Sequence, residues 1–450
     1  MPDLRFKDTL SGETASLPAE QGGIVGIYAC GPTIYSRIHI GNARPFVVFS
    51  LLARFLRFQG YDPRLVINVT DVNDKIYAAA ATQGMGSAEL AEEMTRRYVE
   101  DTDRLGLGRP DDEPLATETV PEIIELIESL IAGDHAYESG GDVYFRVRSF
   151  EGYGKLSGRE PDQMDQGEEA GTASLKHDRL DFALWKATKD GEDTSWPSPW
   201  GPGRPGWHSE CSAMAEKLLG ADFAIHGGGL DLIFPHHENE IAQTEAARGV
   251  PLARVWMHNG MVRTDEEKMS KSVGNIFLLH EALDAYGPEA VVAFLASAHY
   301  RQPVEFSDDA LTESAARVAR IRNFLLEPAV DGEEDPLVAE RRGAMLEALA
   351  DDFNTPRAFA AIFEIIAEGN RRPLPGAREA LVGLLPLLGL ETLADQSEGP
   401  GEEAERLLAE RESARAERDF ERADKIRDQL TDLGFEIRDS ADGPRLVPRG

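Results

Sequence analysis

Cysteine is nearly absent: the 450-residue chain holds two, Cys30 and Cys211. Two cysteines cannot build a disulfide scaffold, and in a reducing compartment a metal-binding or catalytic role suits them better than a bridge. Positive charge is also short. Lys and Arg number 47 against 80 Asp and Glu, a formal net charge of −33. Such acidity repels nucleic acid on average, although binding uses local patches and the average does not decide it. No apolar run is long enough to span a bilayer. The opening MPDLRFKDTL lacks the basic and apolar blocks of a signal peptide, so a cytoplasmic protein with no membrane partner is expected. The rest of the composition, 42% hydrophobic and 28% charged, is ordinary for a globular protein. At roughly 150 residues per domain, the length suggests about three domains.

What is present reads first as a nucleotide-binding α/β fold. IVGIYA (24–29) reads as a strand, ARPFVVFSLLARFLRF (43–58) as a buried helix stopped by Gly60, and LVINVT (65–70) as the next strand. Strand, helix, strand in this order is a βαβ unit, with a parallel sheet and a right-handed crossover. Residues 87–131 read as two helices split by GLGRPDDEP, and GGDVYFRV (140–147) as a strand. The Gly- and charge-rich stretch 148–180 reads as part of an insertion. SWPSPWGPGRPGWHSEC (195–211) then returns the chain to the core, and 222–262 hold further strands and a helix. From Pro288 the pattern is helical, and ADQSEGPGEEAE (394–405) is a polar linker.

Three constellations carry chemistry. HIGN (39–42) lies between the first strand and the first helix, whose N-terminus offers free N–H groups to an anion. Gly41 lets a ligand approach the backbone, and His39 can donate to a phosphate. KMSKS (268–272) supplies Lys268 and Lys271, two cations able to neutralise nucleotide phosphates. The third set is Cys30, Cys211 in GWHSEC, and PHHENE (235–240). Pro235 suits a first helical turn, which places His236 and Glu240 four apart on one face. His237 with Glu240 is also within reach. Two thiolates, an imidazole and a carboxylate suit zinc.

HIGN followed by KMSKS resembles the class I aminoacyl-tRNA synthetases, whose sheet carries ATP between these signatures. Asn42 stands where that class usually has histidine. CGPTIYSRIHIGN, NVTDVNDKI, YGKLSGR, LDFALWK, GWHSECSAM, HGGGLDLIFPHHENEIAQ, KMSKSVGN and DDFNTPRAF together are similar to the cysteinyl-tRNA synthetase family, in order and over nearly the whole chain. The resemblance implies zinc on Cys30, Cys211, His236 and Glu240, one ion per chain. It implies a cysteine pocket of Tyr28, Thr70, Trp207 and His226. It implies ATP on His39, Gly41, Asn42, Asp231, Lys268 and Lys271, with Asp231 at the ribose and Mg2+ accompanying the nucleotide. His39, Lys268 and Lys271 would be the catalytic residues. Zinc would distinguish cysteine from serine by taking the substrate thiolate, where a hydrophobic pocket separates near-isosteres poorly.

The expected architecture is a class I Rossmann-like parallel-sheet catalytic domain over 1–310, with an insertion at about 115–200 and the KMSKS-loop region at about 260–310. A helical bundle (311–393), the linker (394–405) and a small α/β anticodon-recognition domain (406–450) follow. In DDFNTPRAF, Thr355 as N-cap and Pro356 at the first helical position start a helix. Near the C-terminus Arg411, Arg415, Arg418, Arg422 and Lys425 read as one basic stripe on a helix. Ala416, Phe420, Ala423, Ile426 and Leu430 form an apolar stripe beside it. The interleaved acids make a salt-bridged surface helix as good a reading as phosphate contact. Leu446 and Val447 stand where the family often carries a stacking aromatic. The expected partners are the tRNA for cysteine, L-cysteine and ATP, with the chain acting as a monomer. Two rivals share these residues: a cysteine-activating ligase acting on an amino-sugar inositol, and a non-catalytic RNA-binding paralogue. The first has no use for an anticodon domain, and the second would be expected to lose HIGN or KMSKS.

Overall fold

The computed structural model describes residues 3–163, 174–264, 267–268, 277–395, 402–433, 435–440 and 443–448. A short hairpin, β1 (Arg5–Lys7) and β2 (Thr14–Ser16), precedes the first parallel strand, β3 (Ile24–Ala29). Helix α1 (Ile40–Phe58) then crosses to β4 (Asp62–Ile67), in register with β3 from Ile24↔Asp62 to Ala29↔Ile67. Thirteen of its residues are buried, which fits an apolar helix lying under a sheet. The strand expected at 65–70 lies three residues earlier. Asn68 to Thr70 run past its end, where Thr70 bridges Thr33.

Helices α2 (Asp74–Gln83), α3 (Ser87–Asp103) and α4 (Val120–Ala132) lead to an antiparallel sheet of β5 (Ala136–Ser139), β6 (Asp142–Phe145), β7 (Phe182–Ala187) and β8 (Gly203–Pro205). Here Gly140 and Gly141 are the hairpin turn, and the expected strand begins only at Asp142. Helix α5 (Trp207–Leu219) returns the chain to the parallel sheet as β9 (Phe223–Gly229), α6 (Glu238–Arg248) and β10 (Ala253–Asn259). The strand order β10-β9-β3-β4 is parallel throughout. The chain leaves β3 for β4 on one side and later adds β9 on the other. That reversal opens a crevice at the carboxyl ends, where α/β sheets bind ligands.

Strands β11 (Val262–Thr264), β12 (Glu267–Lys268) and β13 (Val304–Glu305) form a small sheet. Helices α7 (Leu279–Tyr286), α8 (Pro288–Leu295), α9 (Asp308–Leu325), α10 (Pro336–Ala350), α11 (Thr355–Gly369) and α12 (Ala377–Leu384) follow. Their buried side chains are continuous with the core under α1. Helix α11 is capped by Asn354, not Thr355: Asn354 Oδ1 accepts from Arg357 N at 3.2 Å, while the Thr355 hydroxyl donates to Ala296 O at 2.7 Å. A hydroxyl spent on a neighbouring helix cannot also cap its own.

The last elements are α13 (Glu402–Ala416), α14 (Phe420–Asp432) and the hairpin β14 (Phe435–Ser440) and β15 (Gly443–Pro448). The expected single helix is two. Arg418 takes a left-handed conformation (φ 64), and Asp419 starts the second helix by accepting from Arg422 N. The basic stripe is therefore broken between Arg415 and Arg422. Phe420 is 63% exposed, outside the apolar stripe expected for it, whereas Leu446 packs into the small core with Leu407, Ile426 and Leu430. Among the described residues no helix is long and apolar enough to cross a membrane.

Candidate active site

Cys30 leaves the carboxyl end of β3, with its N–H held by Gly227 O of β9 at 3.0 Å. Cys211 comes from α5, and Glu240 from the first turn of α6. Phe234 is extended (φ −138, ψ 132), so the helical run that carries His236 begins at Pro235. The ligand atoms of Cys30, Cys211, His236 and Glu240 all lie within 4.8 Å of one another, and all four residues are buried. His236 Nε2 is 3.0 Å from Glu240 Oε1, and Cys30 Sγ is 3.6 Å from the same oxygen. The set Cys30, His226, His237 and Glu240 is as compact. Buried sulfur, imidazole and carboxylate donors that converge in this way fit a borderline-soft cation such as zinc.

Electrostatics inside this cluster are steep. The hydrogen bond from Cys30 holds the Cys211 thiol down at about 6, against the effect of burial. Burial pushes the Cys30 thiol up. Burial also opposes charge on His236, but Glu240 and Cys211 raise it to about 10. Glu240 stays well below the usual carboxylate range because His226 and His236 outweigh its desolvation. Buried charge of this kind persists only when paired or bound to a metal.

Of the residues expected around cysteine, Tyr28, Trp207 and His226 touch this cluster. Tyr28 is buried in β3, its ring 5.2 Å from that of His226, and burial beside Cys211 and Cys30 pushes its phenol up. Trp207, the first residue of α5, stacks on His236 at 4.2 Å between centroids and 18° between planes. Thr70 is buried, with Asn68 Nδ2 donating to its hydroxyl at 3.3 Å. His226 Nε2 sits 2.7 Å from Glu240 Oε2, and its ring stacks on Trp256 at 4.3 Å. Sequence reasoning passed over His208, Glu210 and His258. His208 Nδ1 is 3.0 Å from His236 Nδ1. Both Glu210 carboxyl oxygens are buried without a partner among the described residues, and burial pushes that acid well up. For His208 and Glu210 the signal was polar residues flanking Cys211 on a helix that the sheet should bury; His258, in β10, had no such signal.

The residues expected to hold ATP begin at the N-terminus of α1. His39 is its N-cap, and the cap is reciprocal. Asn42 N donates to His39 Nδ1 and His39 N to Asn42 Oδ1, both at 3.3 Å. A side chain at Gly41 would put its Cβ 2.9 Å from the His39 ring, so glycine lets that ring lie over the helix start. The chain after KMSKS returns to this point. Ile40 N donates to Phe277 O at 3.0 Å, and Leu279 N to Ile38 O at 3.1 Å. Before it, Lys268 is placed by its backbone, as the β12 partner of Arg263. Lys271 lies outside the described residues. Asp231 follows β9 at the carboxyl edge of the sheet.

A parallel sheet with this crevice and helix start is the architecture of class I tRNA synthetases. Residues 17–316 match the model of the "tRNA synthetases class I (C) catalytic domain". Residues 344–388 match the DALR domain, and 398–444 the "Cysteinyl-tRNA ligase anticodon binding domain". The methionyl-tRNA synthetase of Mycobacterium tuberculosis, solved with methionyl-adenylate, shares the fold at a TM-score of 0.61 and 18% identity. That match covers 83% of this chain and 90% of that one. The chain belongs to the cysteine–tRNA ligase family. It is 44% identical over 455 residues to the cysteine–tRNA ligase of Pseudothermotoga lettingae, covering 98% of each chain. It is 45% identical over 458 residues to that of Halorhodospira halophila, covering 98% of this chain and 99% of that one.

Proposed function

We propose that this chain activates L-cysteine with ATP, giving cysteinyl-adenylate and diphosphate, and transfers the cysteinyl group to the 3′ end of the tRNA for cysteine. The observation that carries this reading is the pairing of a buried Cys30–Cys211–His236–Glu240 set with the His39-capped start of α1 at the same carboxyl edge of the sheet. The four residues would hold zinc, which would supply a soft site for the substrate sulfur as a thiolate and so separate cysteine from serine. Tyr28, Thr70, Trp207 and His226 enclose the amino acid and orient its carboxylate toward the α-phosphate of ATP. His39 and the positive dipole end of α1 stabilise charge developing on the phosphates. Lys268 and Lys271 add two cations from the KMSKS segment, and Asp231 takes the ribose. No side-chain nucleophile is needed, because the attacking oxygens belong to cysteine and then to the terminal ribose of the tRNA.

Lys271→Ala should lower the rate of adenylate formation with little effect on cysteine affinity, because a phosphate cation acts mainly in the transition state. Unchanged pyrophosphate exchange in that variant would remove Lys271 from the mechanism. The deciding experiment is ATP-dependent charging of purified tRNA with cysteine, with serine as the control. Charging with neither amino acid sinks the reading. Activation of cysteine with transfer to an amino-sugar inositol but not to tRNA would favour the rival ligase.

A further inference from the structure

A run of hydrogen-bonding side chains ends on the Cys30 sulfur and has no part in the reaction above. Thr9 Oγ1 lies 2.8 Å from His258 Nδ1, His258 Nε2 lies 2.7 Å from His237 Nδ1, and His237 Nε2 lies 3.3 Å from Cys30 Sγ. The fold fixes each member. Thr9 sits in the turn between β1 and β2, and its N–H donates to Trp256 O at 2.9 Å. The neighbouring Asp8 carboxylate accepts from Trp256 N at 2.9 Å, from Leu10 N at 3.2 Å and from Ser11 N at 2.8 Å. That clamps the turn onto β10, which carries His258. The His237 ring lies against Gly228, where a Cβ would sit 2.9 Å from its Cε1. His237 is 0% and His258 2% exposed.

Direction follows from chemistry. A cysteine sulfur bound to a cation carries no hydrogen, so His237 Nε2 must donate to it. A neutral imidazole has one N–H, so His237 Nδ1 must then accept from His258 Nε2. His258 Nδ1 in turn accepts from the Thr9 hydroxyl. Each bond fixes the tautomer and orientation of the next ring, as outer partners of metal centres do.

We propose that Thr9, His258 and His237 form a directional hydrogen-bond relay that positions the Cys30 sulfur and sets how tightly the centre holds its metal. The relay rests on the metal reading above, and the test separates the two. Zinc-loaded full-length protein is titrated with a chromogenic chelator, and its cobalt-substituted form is followed by absorption. The variants are Thr9→Val, His258→Phe and the double variant, and melting of each metal-free protein checks folding. Thr9→Val is near-isosteric and distant from the ligands, so it keeps the test open if His258→Phe fails to fold. Each single variant should weaken zinc retention by about 10-fold and move the sulfur-to-cobalt charge-transfer band in the same direction. The double variant should be no worse than His258→Phe alone, because Thr9 acts only through His258. Additive losses, or a band that stays in place, overturn the relay. So does a His237→Gln protein whose cobalt spectrum reports a changed coordination number, which would make His237 a ligand. Wild-type protein that binds no zinc overturns the metal reading itself, and the relay with it.

Discussion

At Cys30 a one-atom change separates metal from packing. Serine keeps the size and nearly the shape, but its hydroxyl is a poor ligand for a borderline-soft cation. Cys30→Ser should therefore strip zinc, read by metal analysis, and raise the KM for cysteine by about 100-fold or more. Loss of an outer partner alone already costs about 10-fold to 100-fold. The KM for ATP should barely move, because the site proposed for the nucleotide is the start of α1. A zinc-free variant that activates cysteine normally would refute the assignment. Asn42 raises a different question, since it stands where the class I signature usually has histidine. Here it closes a reciprocal cap with His39. Asn42→Ala should cost about 1 kcal/mol of stability, measured by urea unfolding. It should also slow pyrophosphate exchange, because the His39 backbone and ring lose their brace. An Asn42→Ala protein with full exchange activity would reduce the cap to a purely structural feature.

Elements decide which of these features sequence can reveal. The βαβ opening was legible because IVGIYA and the helix after it have lengths and apolar patterns that only a strand and a buried helix satisfy. The donor types at the candidate metal centre were legible too, as two cysteines in a chain that otherwise has none. Their convergence was legible only through the family resemblance, because it depends on β9 pairing with β3 rather than with β4. His237 meets Cys30 through the same pairing, whereas His258 reaches His237 from β10 and His208 reaches His236 from α5. Arg44 reads as an out-of-place charge in an apolar helix, yet it is 0% exposed and donates to Gly260 O at 2.6 Å and Met261 O at 3.3 Å. Burial lowers it to about 10, so it stays charged at neutral pH and ties α1 to the chain leading into β11. In the C-terminal unit the helical period hid a break, because αR and αL residues look alike in a charge pattern. The break leaves Phe420 exposed at the start of α14, between Arg418 and Arg422. Its immediate neighbours are Asp419 and Glu421, with the two arginines one step beyond, and an exposed aromatic can stack an unpaired base at about 1–3 kcal/mol per base. Phe420→Ala should raise the KM for tRNA by about 10-fold and leave pyrophosphate exchange unchanged. Equal loss of both activities would make Phe420 a folding residue instead.

For the whole molecule, the net charge of −33 sets two opposing salt effects. Much of the basic charge is already spent on local acids. Arg411 pairs with Glu412 at 2.6 Å, Arg415 with the same carboxylate at 3.7 Å, and Lys425 with Glu421 at 3.2 Å. Surface pairs of this kind, Arg411 being half-buried, contribute roughly 0–1 kcal/mol each to stability, so they do little to offset the repulsion among the excess carboxylates. That repulsion opposes the compact state and weakens as the Debye length falls from about 10 Å at 0.1 M salt to about 3 Å at 1 M. Raising KCl over this range should raise the melting temperature by a few degrees, whereas a protein held together by surface ion pairs would soften. The tRNA contact moves the other way, since every phosphate neutralised releases a counterion that salt opposes. Cysteine activation without tRNA should follow stability, and charging should fall with added salt. A melting temperature that drops steadily with KCl in scanning calorimetry would show that ion pairing, not excess negative charge, governs this fold.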